Sequence, residues 1–136
     1  MNASWEQKQA ELWERVFQVT QDVVALADAA GDGTGVGVCK NEMVRAAMNV
    51  GRQLVRGSAS ASPQTFEHCL EEARLSAIET DYWLRLLYLL QQDEEVQRDL
   101  SSVINQYSAI VELLSRLSRH PVGASSVRSE RRRSSR

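Results

Sequence analysis

The stretch Arg45-Ala46-Ala47-Met48-Asn49-Val50-Gly51-Arg52-Gln53-Leu54-Val55-Arg56-Gly57 decides the fold, read with the Ser58-Ala-Ser-Ala-Ser62-Pro63 that follows it. Met43, Ala47, Val50 and Leu54 recur at steps of four, three and four, the period of a helix with one apolar face. Gly57 stands where such a helix stops, because a left-handed residue there costs glycine little. Ser62 has the chemistry of an N-cap, and Pro63 suits a first helical position, where its missing N–H is no loss. The segment therefore reads as a helix over 41–56, a short polar turn, and a second helix over 63–90 that continues through Phe66, Leu70, Ala73, Ala77, Leu84 and Leu87.

The same period extends outward in both directions. Leu12, Val16, Val19, Val23 and Leu26 predict a first helix over 4–29, with Trp13 and Phe17 widening its apolar stripe. Residues 31–37 hold four glycines, a composition that predicts a flexible connection up to Val38. Asp93 is the expected cap of a fourth helix, with Glu94 and Glu95 at its positive end and a seam of Val96, Leu100, Val103, Tyr107, Ile110, Leu114 and Leu117. The predicted fold is all-α, an up-down-up-down antiparallel four-helix bundle over 1–121. A disordered Ser/Arg-rich basic tail is expected over 122–136.

Composition bounds the function. The 136 residues are 43% hydrophobic and 25% charged, suited to one soluble domain with its own core. No apolar run reaches the roughly 18 residues that span a bilayer, and the N-terminus lacks the basic-then-apolar order of a secretory signal. Two cysteines are too few for a disulfide scaffold, so the expected location is the reducing cytoplasm. The net charge of −2 hides an asymmetry: 128–136 carries five arginines and one glutamate, +4, which leaves −6 on the rest.

With Arg45, Ala46, Ala47, Val50, Leu54 and Gly57 in place, and Phe66, Leu70, Ala73, Ser76 and Glu79 following without a gap, the chain resembles the bacterial four helix bundle protein family. Its members are also called 23S ribosomal RNA intervening-sequence proteins, and they include the accessory variability determinant of diversity-generating retroelements. Gln53, Arg56, Gly51 and Leu75 depart from the usual Asn, Glu, Pro and Gly of the family pattern. The resemblance implies a homopentamer, a structural Arg45–Glu79 contact, and an accessory role in which the oligomer binds a reverse transcriptase and its RNA template. Most members have no defined activity.

Catalytic and metal chemistry is not indicated. A di-metal bundle needs Glu three residues before His, whereas Thr65 precedes His68 and Leu117 precedes His120. His68 and Cys69 are adjacent, so on a helix they diverge by about 100° and chelate poorly. Cys39, beside Lys40, reads as a loop cysteine, and the Gly31–Gly37 run lacks the Lys-Ser/Thr ending of a phosphate loop. The expectation is a protein that is not an enzyme and carries no cofactor or metal. Arg45, Asn49, Arg52 and Arg56 form a polar stripe about 200° from the apolar seam, which suits either a phosphate track or an ion-paired face. Arg128, Arg131, Arg132, Arg133 and Arg136 suit salt-sensitive RNA or DNA binding, or a solubilising terminus. Residues 82–90 hold one charge in nine, a surplus of apolar surface that points to a homo-oligomer with Trp83 and Tyr88 as interface residues. The alternative function is an oligomeric scaffold that binds protein alone.

Overall fold

The computed structural model describes residues 3–119, with side-chain surroundings defined from Gln7 to Ser118. Within it lie four helices: α1 (Ala3–Ala29), α2 (Thr34–Ala59), α3 (Pro63–Leu90) and α4 (Glu94–Arg119). The boundary at residue 121 and the tail arginines Arg128, Arg131, Arg132, Arg133 and Arg136 lie outside the described residues. The helices pack in a cycle, α1 on α2 and α4, and α3 on α2 and α4, around one apolar core. None of the described helices is long and apolar enough to cross a membrane.

Local chemistry accounts for most of the ends. The Ser62 hydroxyl accepts from the Thr65 N–H at 3.3 Å, and Pro63 opens α3, as the sequence predicts. Asp93 Oδ1 accepts from the N–H groups of Glu95 (2.9 Å) and Val96 (3.4 Å), and so caps α4. Two turns meet at that end of the bundle. The buried Gln91 amide donates to the Ala30 carbonyl at 3.2 Å, and Lys40 Nζ donates to the Gly31 carbonyl at 2.6 Å.

Three expectations need correction. First, α2 starts at Thr34 rather than Asn41, because only Gly31 and Gly33 use left-handed backbone, at φ 81° and 139°. Gly35 and Gly37 are helical, so the connection is short, and Cys39 is a buried helical residue rather than a loop cysteine. Second, Gly57 does not stop α2. The helix passes through it to Ala59, and Gly57 is buried against α3, where an added Cβ would stand 3.1 Å from Cys69 Cβ. Glycine is needed here for a close approach between helices, not for a turn. Third, Trp13 and Phe17 do not widen the core stripe of α1. They are 38% and 68% exposed, because the core angle is already filled by Leu12, Val16, Val19, Val23 and Leu26.

The core combines small and large residues. Ala46, Ala47, Ala73 and Ala77 are all 2% exposed or less, while Leu84, Leu87, Leu100, Tyr107, Ile110 and Leu114 fill the volume opposite. Tyr107 carries a polar atom into this interior. Its hydroxyl has no hydrogen-bond partner in good geometry, and the neighbouring Thr20 hydroxyl already donates to the Val16 carbonyl at 2.6 Å. Burial pushes the Tyr107 phenol far above its ordinary range, tempered by Thr20 and reinforced by the Asp22 carboxylate.

Two predictions follow from this packing. Gly57→Val should destabilise the fold by about 1–3 kcal/mol through overpacking. Gly37→Ala, at a helical site with nothing within 4 Å of the new methyl, should instead stabilise it by about 0.5–1 kcal/mol. Urea unfolding of both variants checks the pair. For Tyr107, the folded pKa is raised, so stability is complete below the unfolded tyrosine value of about 10 and falls as pH rises above it. Tyr107→Phe should change stability at pH 7 by no more than about 1 kcal/mol and should lessen the alkaline loss, as read by thermal melts at pH 7 and 11.

Candidate functional site

The polar stripe of α2 sits beside a line of bridging contacts to α3. Going up α2, Cys39 Sγ donates to the Trp83 carbonyl at 3.3 Å, Arg45 Nη2 to Glu79 at 2.8 Å, and Asn49 Nδ2 to the Ser76 hydroxyl at 2.7 Å. Gly57 then lies against Phe66 and Cys69. The partner numbers fall as the α2 numbers rise, so these contacts fix one register between the two helices.

The stripe is not chemically uniform. Arg45 is engaged twice, by Glu42 at 2.7 Å and by Glu79 at 2.8 Å. Glu42 first and Glu79 second raise its pKa above the ordinary guanidinium value. The Arg45–Glu79 contact expected from the family resemblance is thus present. Arg52 donates to Asn49 Oδ1 at 3.1 Å, and neither Arg52 nor Arg56 makes an ion pair among the described residues. Both are exposed. One end of the stripe is therefore tied to α3, while the other presents Arg52, hydrogen-bonded to Asn49, and Arg56 to solvent with no ion pair among the described residues.

On α3, Trp83 and Tyr88 are half-buried and pack against the core. The Trp83 indole donates to Glu79 at 3.4 Å and meets the Tyr82 ring edge-on at 4.9 Å. The exposed large hydrophobic side chains of that helix are Leu75, Ile78, Tyr82, Leu89 and Leu90. Leu75, Ile78, Tyr82 and Leu89 follow steps of three, four and seven, so they share one outward face.

A second surface brings together Trp13, Phe17 and Arg52, which the sequence offered only separately, as core and as polar stripe. Trp13, Phe17, Thr20, Gln21 and Val24 of α1 and Met48, Gly51, Arg52 and Val55 of α2 line an open apolar groove of about 520 Å³. Its signal is the seven-residue spacing of Phe17 with Val24 and of Met48 with Val55, apolar pairs that lie off the core angle of their helices. Arg52 is the charged residue of its lining, and it joins the groove to the polar stripe.

Cys39 and Cys69 are free and buried, and desolvation pushes the Cys39 thiol above its usual pKa, away from a reactive thiolate.

The fold has a solved counterpart. A crystal structure of a protein of unknown function from the S23 ribosomal protein family of Bacteroides thetaiotaomicron VPI-5482 superposes with a TM-score of 0.74 at 20% identity. The match covers 83% of this chain and 99% of that one. No curated protein matches this chain. The model of the 23S rRNA-intervening sequence protein family matches residues 8–116, which takes in all the core and groove residues of α1, the whole of α2 and α3, and most of α4. With its four helices and the Arg45–Glu79 bridge set within that span, the chain belongs to the 23S rRNA-intervening sequence protein family.

Proposed function

We propose that this protein is a non-enzymatic, cytoplasmic, homo-oligomeric accessory subunit that binds nucleic acid, with an up-down-up-down bundle as its repeating unit. The observation that carries this reading is the split of the α2 stripe. Arg45 is consumed by Glu42 and Glu79, whereas Arg52 and Arg56 are exposed and without a carboxylate among the described residues. Free guanidinium groups spaced along a helix suit phosphates, and the arginines at 128, 131, 132, 133 and 136 add a second basic element. Leu117 of α4 lines a crevice with Gly57 and Ser58, so the chain leaves α4 at the same end of the bundle as Arg56.

The retroelement members of the family supply the finer form of the proposal: a homopentamer that engages RNA, or the corresponding DNA, together with a reverse transcriptase. No membrane, metal or cofactor enters this role. A protein-only scaffold is the second reading. It is favoured by the opposite end of the bundle, where the Gln91–Ala30 hydrogen bond brings the end of α1 with Asp28, and Asp32 paired with Lys40, to the same end as Asp93, Glu94 and Glu95, a mainly acidic surface ill suited to nucleic acid.

The test is RNA binding by fluorescence anisotropy across a salt series, with the full chain and a full-length variant in which the five tail arginines are glutamine. The full chain should bind with an affinity that falls steeply with salt. Each phosphate contact contributes about 0.7 to the slope of log K against log salt, so the variant, with five arginines removed, should lose up to about 3.5 of that slope. Adding Arg56→Glu should weaken the remainder further. Absence of binding by the full chain at low salt would remove the nucleic-acid reading and leave the protein-only scaffold.

A further inference from the structure

We propose that the α1–α2 groove is a stacking site for an unpaired base of single-stranded RNA, with Arg52 and Arg56 holding phosphates of the same strand. The inference rests on the nucleic-acid reading above and adds to it which form of the polymer is bound and where a base goes.

In the sequence, arginines and aromatics stand apart. Neither 45–57 nor 128–136 contains an aromatic residue, so the basic stretches alone offer contacts to phosphate and nothing for a base. The fold changes this. With α1 packed on α2, the groove between them is lined by Trp13 and Phe17 from the first helix and by Arg52 from the second. Phe17 is 68% exposed and Trp13 38%, so both rings keep open surface. Open rings beside arginines without a carboxylate are the combination that single-strand binding uses. Cations follow the backbone, and rings stack on bases whatever their identity, because every base has a π face.

The groove has room for a flat guest. Its volume of about 520 Å³ falls among those of sites that hold small organic groups. At Gly51 the lining has no side chain, and nothing stands within 4 Å of a Cβ position there, so a ring can lie close to the helix backbone. Val24, Met48 and Val55 supply apolar contact around it. Gln21 supplies polarity. Its Nε2 donates to the Phe17 carbonyl at 3.3 Å, which leaves a second N–H and the amide oxygen for the edge of a base. One amide that both donates and accepts suits bases of more than one kind, so the site favours unpaired bases without reading a sequence.

The cations lie along the same line. Arg52 donates to Asn49 Oδ1 at 3.1 Å, and Asn49 in turn donates to the Ser76 hydroxyl at 2.7 Å. These bonds position one edge of the guanidinium and leave its other N–H groups for a phosphate. Arg56 follows four residues later, about 6 Å along the helix, a step that an extended strand covers between neighbouring phosphates. Trp13 lines both the groove and the crevice beside Gly57 and Ser58, so the aromatic wall runs toward the Arg56 end of α2. A duplex keeps its bases paired and stacked, and it gives none to the groove without unpairing it. The site therefore adds affinity for unpaired strands, while a duplex makes the phosphate contacts alone.

The experiment measures fluorescence anisotropy of the full chain with three labelled probes of equal length: an unstructured RNA strand, its duplex, and an abasic strand with the same phosphates as the first. The wild type should bind the RNA strand at least about fivefold more tightly than the abasic strand, the lower end of what one stacked base contributes. Phe17→Leu removes the ring and keeps an apolar side chain. Gly51→Leu fills the groove at a helical site where nothing obstructs the new side chain and where leucine favours the helix. Each should lower the RNA affinity to that of the abasic strand, and Phe17→Tyr should keep the preference. Abasic and duplex binding should stay at the wild-type level in all three variants, which also shows that fold and assembly are intact. A wild type that binds RNA and abasic strands equally overturns the base site and leaves the nucleic-acid reading standing. A preference for bases that survives both leucine variants does the same, as do leucine variants that weaken every probe alike. Absence of wild-type binding to all three probes overturns this inference and the nucleic-acid reading together.

Discussion

The close approach of α2 to α3 is the constraint on which the rest of the structure depends. Ala46, Ala47 and Gly57 on one helix, and Ala73 and Ala77 on the other, keep the facing surfaces thin. Thin surfaces bring short polar side chains within reach of the opposite helix, which is why Asn49 can meet Ser76 at 2.7 Å and why Cys39 can donate to a backbone carbonyl at 3.3 Å. Such bonds add modest stability each, about 0.5–1.5 kcal/mol, but they choose one register out of the several that an alanine-rich seam permits. Apolar contacts alone would choose less sharply, because neighbouring alanines are interchangeable.

The asymmetry of the bundle follows from that pairing. Bulk excluded from the α2–α3 seam gathers in the large side chains of α3 and α4, with Tyr107 and Leu100 at the centre. On the other flank of α2, Gly51 supplies no side chain and Met48 and Val55 point outward, so α1 meets α2 over a gap rather than a filled seam. The groove is thus the complement of the tight seam. It also leaves Phe17, 68% exposed, in water, the kind of side chain that interfaces collect.

Much of this was legible in the sequence, and the misses have physical causes. The 3–4 spacing found the four helices and nearly the whole core, because burial on one face is what creates that spacing. Ser62, Pro63 and Asp93 were legible because caps act locally through their own side chains. Gly35 and Gly37 misled, since glycine lowers helix propensity without forbidding the helix, and packing of Cys39 and Met43 overrides the local preference. Gly57 misled for a related reason: a glycine that ends a helix and a glycine that lets another helix approach look alike until the neighbour, here Cys69, is in place. The contact between Arg45 and Glu79 was available from the family pattern. The groove was not available from either source, because Phe17 and Trp13 fit an apolar stripe in sequence, and only the position of α2 shows that they stand outside the core.

Charge placement joins the fold to the proposed function. The described body is mainly acidic at the end where the Gln91 amide ties the first turn to the third, and it presents Arg56 at the end where α2 finishes beside Leu117 of α4. A single chain with that polarity holds phosphates weakly, since an exposed guanidinium gains little in water and is screened by salt. In the proposed oligomer, the second and later contacts on one nucleic acid would be intramolecular, so affinity would rise without any individually strong contact. On the proposed reading, oligomer and binding surface are one problem, because assembly multiplies cations that are individually weak.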